Sequence, residues 1–209
     1  MSARFVITGT DTGVGKTIFA AALTSALGAS YWKPVQAGLD EESDSEQVRR
    51  LAAIPAGRVL PEAYRLATPC SPHRAAEIDG IEIDPENLVV PSIHSPLVIE
   101  GAGGALVPLT RSFLYADMFN RWGLPVIVVA RTSLGTINHS LLTVEALRLR
   151  EILVHGIAFV GDAQEDSEAT ICEIGKVRRL GRLEHLDSID PASLTAAFAR
   201  GFDIADFQP

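Results

Sequence analysis

The stretch Phe5-Val6-Ile7-Thr8-Gly9-Thr10-Asp11-Thr12-Gly13-Val14-Gly15-Lys16-Thr17 runs from an apolar strand, through a glycine-rich turn, into a lysine and a hydroxyl at a helix start. Backbone N–H groups of such a turn point inward at an anion, and the helix N-terminus adds its partial positive charge. Lys16 is placed to reach the outer phosphates of a bound nucleotide, and Thr17 to hold Mg²⁺. The stretch therefore predicts a cradle for a nucleoside triphosphate. Its spacing is unusual, because five residues separate Gly9 from Gly15 and Thr10 stands where the G-x-x-x-x-G-K-[ST] pattern has its first glycine.

Working outward, short and nearly continuous apolar runs recur at Phe5–Thr8, Pro96–Glu100, Pro125–Ala130 and Gly156–Val160. Runs of this kind suit parallel strands covered on both faces. Helical patterns lie between and after them, at Lys16–Leu27, Asp44–Ala53, Tyr115–Arg121, His139–Leu153, Ser167–Gly175 and Pro191–Arg200. Alternation of this sort predicts an α/β fold, a doubly wound, mostly parallel sheet with helices on both faces, as in P-loop NTPases. Ligands in such folds sit beyond the carboxyl ends of the strands. The proline-rich segment from Ile54 to Pro96 reads as an excursion from the sheet. With no repeat, low-complexity tract or linker, residues 1–209 read as one domain.

The formal charge of -8 argues against a nucleic-acid binder, which would carry a basic field. The local basic cluster from Lys176 to Arg182 reads as a solvated face. No apolar run approaches the ~18 residues of a membrane span, and no apolar leader precedes the first strand. Cys70 and Cys172 are far apart, so neither a disulfide framework nor a Cys-x-x-Cys site is suggested, and a reducing cytoplasm is the expected location. The histidines lack paired spacing, so no zinc site is expected.

Other constellations follow the strands. Lys33, between Trp32 and Pro34 after the β-like Ser30-Tyr31-Trp32, can reach the phosphate site from a second strand. The acidic run from Asp40 to Glu46 opens a helix, where dipole and capping preferences favour acids. Among these, Asp44 is the expected additional Mg²⁺ carboxylate. Glu100 ends the strand Leu97-Val98-Ile99 and is followed by Gly101-Ala102-Gly103-Gly104, which suits a strand-terminal metal ligand and a backbone that a ligand can approach closely. In Leu134-Gly135-Thr136-Ile137-Asn138-His139, Thr136 or Asn138 can cap the helix that follows, leaving N–H groups for a carboxylate.

Together with Lys33-Pro34-Val35, Ser71-Pro72-His73 and Leu124-Pro125-Val126, these motifs closely resemble dethiobiotin synthetase, in order and approximate spacing over nearly the whole chain. The resemblance implies an ATP- and Mg²⁺-dependent ring-closing ligase of biotin synthesis, joining 7,8-diaminononanoate and CO₂ through a carbamate and a carbamic-phosphoric anhydride. It implies that Thr12, Gly13, Val14, Gly15, Lys16 and Thr17 hold ATP, and that Thr17, Asp44 and Glu100 bind Mg²⁺. Lys33 and Lys16 would be the catalytic lysines, with Gly161, Leu183 and Glu184 near the base. Lys33, Ala37 and Gly101, Ala102, Gly103 and Gly104 would line the diamine site. A homodimer would bring Thr136, Ile137 and Asn138 of one subunit to the substrate carboxylate bound by the other.

Three positions depart from that pattern. Ala37 stands where a serine or threonine is frequent, Val160 where a strand-end asparagine reads adenine, and Glu184 where a proline is usual. Two other readings stand beside this one. A switch ATPase of the partitioning type would act through partners, but its extra lysine early in the phosphate loop is missing, with Thr10 and Asp11 there instead. An amide-forming synthetase acting on a cobalt-corrin precursor usually carries a glutamine-hydrolysing domain, for which 209 residues leave no room.

Overall fold

The computed structural model describes residues 2–208. In chain order the elements are β1 (Arg4–Gly9), α1 (Lys16–Leu27), β2 (Ser30–Trp32), β3 (Val35–Ala37), α2 (Asp44–Leu51), β4 (Val59–Leu60), β5 (Tyr64–Leu66), α3 (Pro72–Asp79) and β6 (Leu97–Gly104). They continue with β7 (Pro108–Thr110), β8 (Phe113–Leu114), α4 (Tyr115–Trp122), β9 (Val126–Arg131), α5 (Thr136–Arg148), β10 (Val154–Val160), α6 (Glu165–Gly175), β11 (Arg179–Leu183) and α7 (Pro191–Gly201).

Seven strands form a sheet in the order β11-β10-β9-β1-β6-β2-β4, and every pairing in it is parallel. The chain winds outward from β1 in both directions, so the crevice at its carboxyl end is the switch point where ligands bind in open α/β sheets. Alternate residues of the apolar strands divide between two cores. Val6, Leu97, Ile99, Val128 and Ala130 pack with residues of α3, α4 and α5. Phe5, Ile7, Val98, Ile127 and Val129 pack with α1, α2 and α7. Burial on both faces is why these strands read as continuous apolar runs rather than as alternating ones.

Register brings distant residues together. Ile7 on β1 lies opposite Glu100 on β6, and Trp32 on β2 lies opposite Ile99. The phosphate loop after β1, Glu100 on β6 and Lys33 just past β2 therefore share one end of three adjacent strands.

The structure departs from the sequence-based expectations in several places. The proline-rich excursion contains α3 and the short strands β4 and β5, with β5 pairing β3 in a separate two-stranded sheet. The basic cluster is largely solvated, with Lys176, Arg178 and Arg179 exposed, but Arg179 and Arg182 belong to an edge strand that the sequence reading did not mark. Leu180 and Leu183 of β11 are buried, and Arg179 and Arg182 close on the buried Glu168 of α6. Helix α5 begins at Thr136, three residues earlier than the pattern suggested, and its cap is Gly135 in the left-handed conformation rather than a side chain. Helix α2 does start as expected, with Ser43 and Glu46 forming a reciprocal capping box.

The last described turn closes one core. Phe207 is fully buried, with its ring 6.1 Å from Phe5, 6.4 Å from Phe19 and 5.8 Å from Phe198, joining β1, α1 and α7. Phe207→Ala is expected to lower the unfolding free energy by about 3–5 kcal/mol. A urea titration checks this, and a loss no larger than that of an exposed-residue change would show that the terminal turn does not stabilise the core.

Candidate active site

The phosphate loop is shaped by backbone conformation. Gly13 and Gly15 both have positive φ, at 71° and 91°, a region that side-chain-bearing residues rarely adopt. At Gly15 a Cβ would also stand 2.8 Å from Cγ1 of Val160, so the loop has no room for one. Lys16 folds over the loop and donates to the Asp11 carbonyl at 2.9 Å. Burial pulls the Lys16 ammonium below its ordinary range, which Glu100 opposes and Lys33 reinforces.

Beside it stands a second buried lysine. The Lys33 side chain is 4 % exposed, and its ammonium lies 2.6 Å from Asp44 Oδ2 and 3.3 Å from Glu100 Oε1. It also donates to the Gly101 carbonyl at 3.1 Å, so its three N–H groups meet three acceptors. Burial alone would lower its pKa, but Glu100 and Asp44 together raise it above the ordinary lysine value. Glu100 is fully buried, and both of its oxygens are engaged. Thr17 Oγ1 donates to Oε1 at 2.9 Å and the Tyr31 hydroxyl donates to Oε2 at 2.8 Å. Burial and the neighbouring Glu100 keep the Tyr31 phenol protonated. Burial pushes the Asp44 carboxyl up, yet Lys33 and the Thr17 hydroxyl outweigh it and leave it below the usual range. Its position is helped by Gln36, whose Oε1 accepts the Asp44 backbone N–H at 3.2 Å.

Except for Tyr31, these groups line a cleft of about 650 Å³. Of the residues singled out in the sequence, Thr12, Gly13, Gly15, Lys16, Thr17, Lys33, Ala37, Asp44, Glu100, Ala102 and Gly103 face it. Gly101 and Gly104 do not. Strand β6 continues through Gly104, which pairs there with Gly9 of β1, and Gly101 contributes only its carbonyl to Lys33. Gln36, Gln47 and Cys70 also line the cleft, and no local motif marks them.

A second cleft, of about 560 Å³, lies on the other side of the phosphate loop and shares Gly13 and Gly15 with the first. Val14, Val160, Gly161, Leu183 and Glu184 line it. Here the backbone is already engaged. The Gly161 N–H donates to the Leu183 carbonyl at 2.9 Å, and Arg182 donates to the Gly161 carbonyl at 3.2 Å. The Glu184 carboxylate pairs with Arg200.

Thr136, Ile137 and Asn138 line neither cleft but a third hollow at the start of α5. Thr136 is buried, its hydroxyl donating to the Arg131 carbonyl and its N–H to the Ser133 carbonyl. Only Ile137 and Asn138 keep first-turn N–H groups with no helical acceptor.

Glu100 does not end its strand as the sequence suggested, because β6 runs on through the glycines to Gly104. A parallel sheet that delivers a glycine-rich anion cradle, an adjoining lysine and a buried acid of β6 to one crevice defines a nucleoside-triphosphate-dependent enzyme of the P-loop class. A family model described as an AAA domain matches residues 3–193. The ATP-dependent dethiobiotin synthetase of Novosphingobium aromaticivorans is 66% identical over 203 residues, covering 97% of this chain and 98% of that protein. Enzymes of the same name from Sphingopyxis alaskensis and Rhodopseudomonas palustris strain TIE-1 are 62% and 60% identical, over 98% and 99% of this chain and 99% and 98% of theirs. The chain belongs to the ATP-dependent dethiobiotin synthetases.

Among solved structures, a ParA family ATPase from Chlorobium tepidum superposes with a TM-score of 0.56 at 9% identity, covering 95% of this chain and 91% of that one. The MinC:MinD complex of Aquifex aeolicus gives a TM-score of 0.53 at 12% identity, covering 94% and 86%. At such identities the likeness to these proteins is one of fold alone. No helix among the described residues is long and apolar enough to cross a membrane.

The Asp44–Lys33 pair has a defined pH signature. With the Asp44 pKa below its ordinary 3.8, the pair's stabilisation is present above that value and fades as pH falls through the lowered folded pKa. With the Lys33 pKa above 10.5, the stabilisation is complete below that value and fades as pH rises through the folded pKa. Carboxyl NMR titration should find Asp44 below 3.8 in the native protein and shifted upward in Lys33→Met. An unmoved titration in that variant would mean that Lys33 does not hold the carboxylate.

Proposed function

We propose that the first cleft closes the ureido ring of dethiobiotin at the expense of ATP, with 7,8-diaminononanoate and CO₂ as the other substrates. The observation that carries this reading is the convergence of two buried lysines, Lys16 and Lys33, on one crevice beside the phosphate loop. One substrate amine attacks CO₂ and loses a proton to become a carbamate. A carbamate oxygen then attacks the γ-phosphorus, breaking its bond to the β-γ bridging oxygen and releasing ADP. Finally the second amine attacks the carbamoyl carbon, loses a proton and expels phosphate as the C–O bond of the anhydride breaks, closing the ring. Each stage gathers negative charge, which oriented N–H groups and cations stabilise best where they are held in advance. In this reading the N–H groups from Thr12 to Thr17 and the Lys16 ammonium hold the triphosphate, and Lys33 faces the carbamate and the transferring phosphoryl group.

The donor set of Thr17, Asp44 and Glu100 suits Mg²⁺, which takes hard oxygen ligands and completes its shell with water and substrate phosphates. Bound Mg²⁺ would neutralise phosphate charge. We also infer an active homodimer. Within one chain Ile137 and Asn138 lie off the Lys33 cleft, which supports their serving the substrate carboxylate of a second copy.

Phosphate release should depend on both bicarbonate and 7,8-diaminononanoate. Release indifferent to the diamine would overturn the ligase reading. Lys33→Ala should lower turnover by about 10²-fold or more, by analogy with loss of one oxyanion donor. Near-normal turnover would remove Lys33 from the chemistry.

The second cleft suits the nucleobase. Asparagine can pair with donor and acceptor edges of adenine at once, whereas Val160 can pair with neither, and the backbone N–H of Gly161 is already taken. The enzyme should therefore use CTP or GTP within about tenfold of ATP, a gap of roughly 1.4 kcal/mol. Steady-state rates with each triphosphate at matched Mg²⁺ check this, and a thousandfold ATP preference would show that another group reads the base.

A further inference from the structure

Glu100 is held from two sides, and only one side belongs to the cleft. Thr17 and Lys33, both lining the cleft, meet Oε1 at 2.9 and 3.3 Å. Tyr31 meets Oε2 at 2.8 Å from the opposite side. Tyr31 is fully buried within the core formed by α1, α2 and the sheet, and does not line the cleft. A buried carboxylate oxygen without a donor is costly, and a rigid donor also fixes the rotation of the carboxylate. A phenylalanine would fill the same apolar space but leave Oε2 without a partner.

We propose that Tyr31 is a positioning residue for the metal-dependent step, locking Glu100 so that Oε1 alone is offered to the cleft. The proposal rests on the reading of Glu100 as a Mg²⁺ ligand. Hydrogen-bonded partners of this kind orient metal-ligating side chains and support metal affinity well beyond their own contacts. They also distinguish a single offered oxygen from a carboxylate free to turn and present both.

The test compares Tyr31→Phe, Glu100→Gln and the double variant, each checked for a native circular dichroism spectrum. Tyr31→Phe keeps the ring and its packing. The double variant tests whether the tyrosine acts through Glu100, because without the carboxylate there is no ionised oxygen for the phenol to hold. In Tyr31→Phe the Mg²⁺ concentration for half-maximal phosphate release should rise about tenfold, with turnover at saturating Mg²⁺ little changed. Calorimetric ADP titrations, which need no turnover, should show the Mg²⁺-dependent gain in ADP affinity reduced, while ADP affinity without Mg²⁺ is unchanged. Adding Tyr31→Phe to Glu100→Gln should have no further effect on either readout.

A Mg²⁺ response unchanged in Tyr31→Phe but weakened in Glu100→Gln would overturn the role of Tyr31 while leaving the metal reading intact. If neither variant alters the response, the metal reading itself fails. A further loss in the double variant equal to that of Tyr31→Phe alone would mean that the tyrosine acts independently of Glu100, and would also overturn the proposal.

Discussion

A lysine ammonium with almost no access to water, pressed between Asp44 and Glu100, is the interaction on which the rest of the site depends. Removing one member of such a group leaves an uncompensated buried charge, which is far more costly than losing a surface pair. The network is also a geometric lock. Lys33 follows β2, Glu100 ends the apolar part of β6, and Asp44 opens α2, so their mutual distances hold the ends of three elements in register. Thr17, the first hydroxyl after the phosphate-loop lysine, joins the network through Glu100 and ties α1 to it.

Around that lock the phosphate loop acts as a wall between two clefts. Gly13 and Gly15 face both; in the function proposed above, the Lys33 side takes the phosphates and the Val160 side the base. The two sides differ in character. On the phosphate side, charged groups are paired with one another yet stand along a cleft, ready to exchange partners with an anionic ligand. On the base side, the backbone groups around Gly161 and Leu183 are committed to the sheet and to Arg182. Glu168 anchors Arg182 from α6, so this side is structurally supported but poor in groups aimed at a base. The ParA family ATPase shares the fold, but the fold alone does not specify chemistry; the lysines and acids placed on it do.

The phosphate loop, the strand that leads into it and the helix that follows were legible in the sequence because their determinants lie within a single short stretch. Apolar continuity marks a strand buried on both faces, positive-φ glycines mark the turn, and Lys16-Thr17 marks the helix start. Glu100 was legible for a similar reason, as an acid at the point where an apolar run gives way to glycines. Helix α2 could be read from its acidic, serine-containing first turn.

Other features depended on the assembled fold. The hydroxyl of Tyr31 meets a carboxylate 69 positions away, and nothing near Tyr31 distinguishes it from an ordinary core aromatic in a strand. Strand β11 was hidden because basic residues dominate the local composition, and the partners of its arginines, Glu168 on a neighbouring helix and the Gly161 carbonyl, lie elsewhere in the chain. The early start of α5 follows from a left-handed glycine and from Thr136 turning its hydroxyl to Arg131 rather than capping. Sequence by itself determined the chemistry available, since residue type and local spacing set which groups can bind an anion. Tertiary structure decided which groups meet, because pairing depends on the register of strands whose sequence separation carries no information about distance.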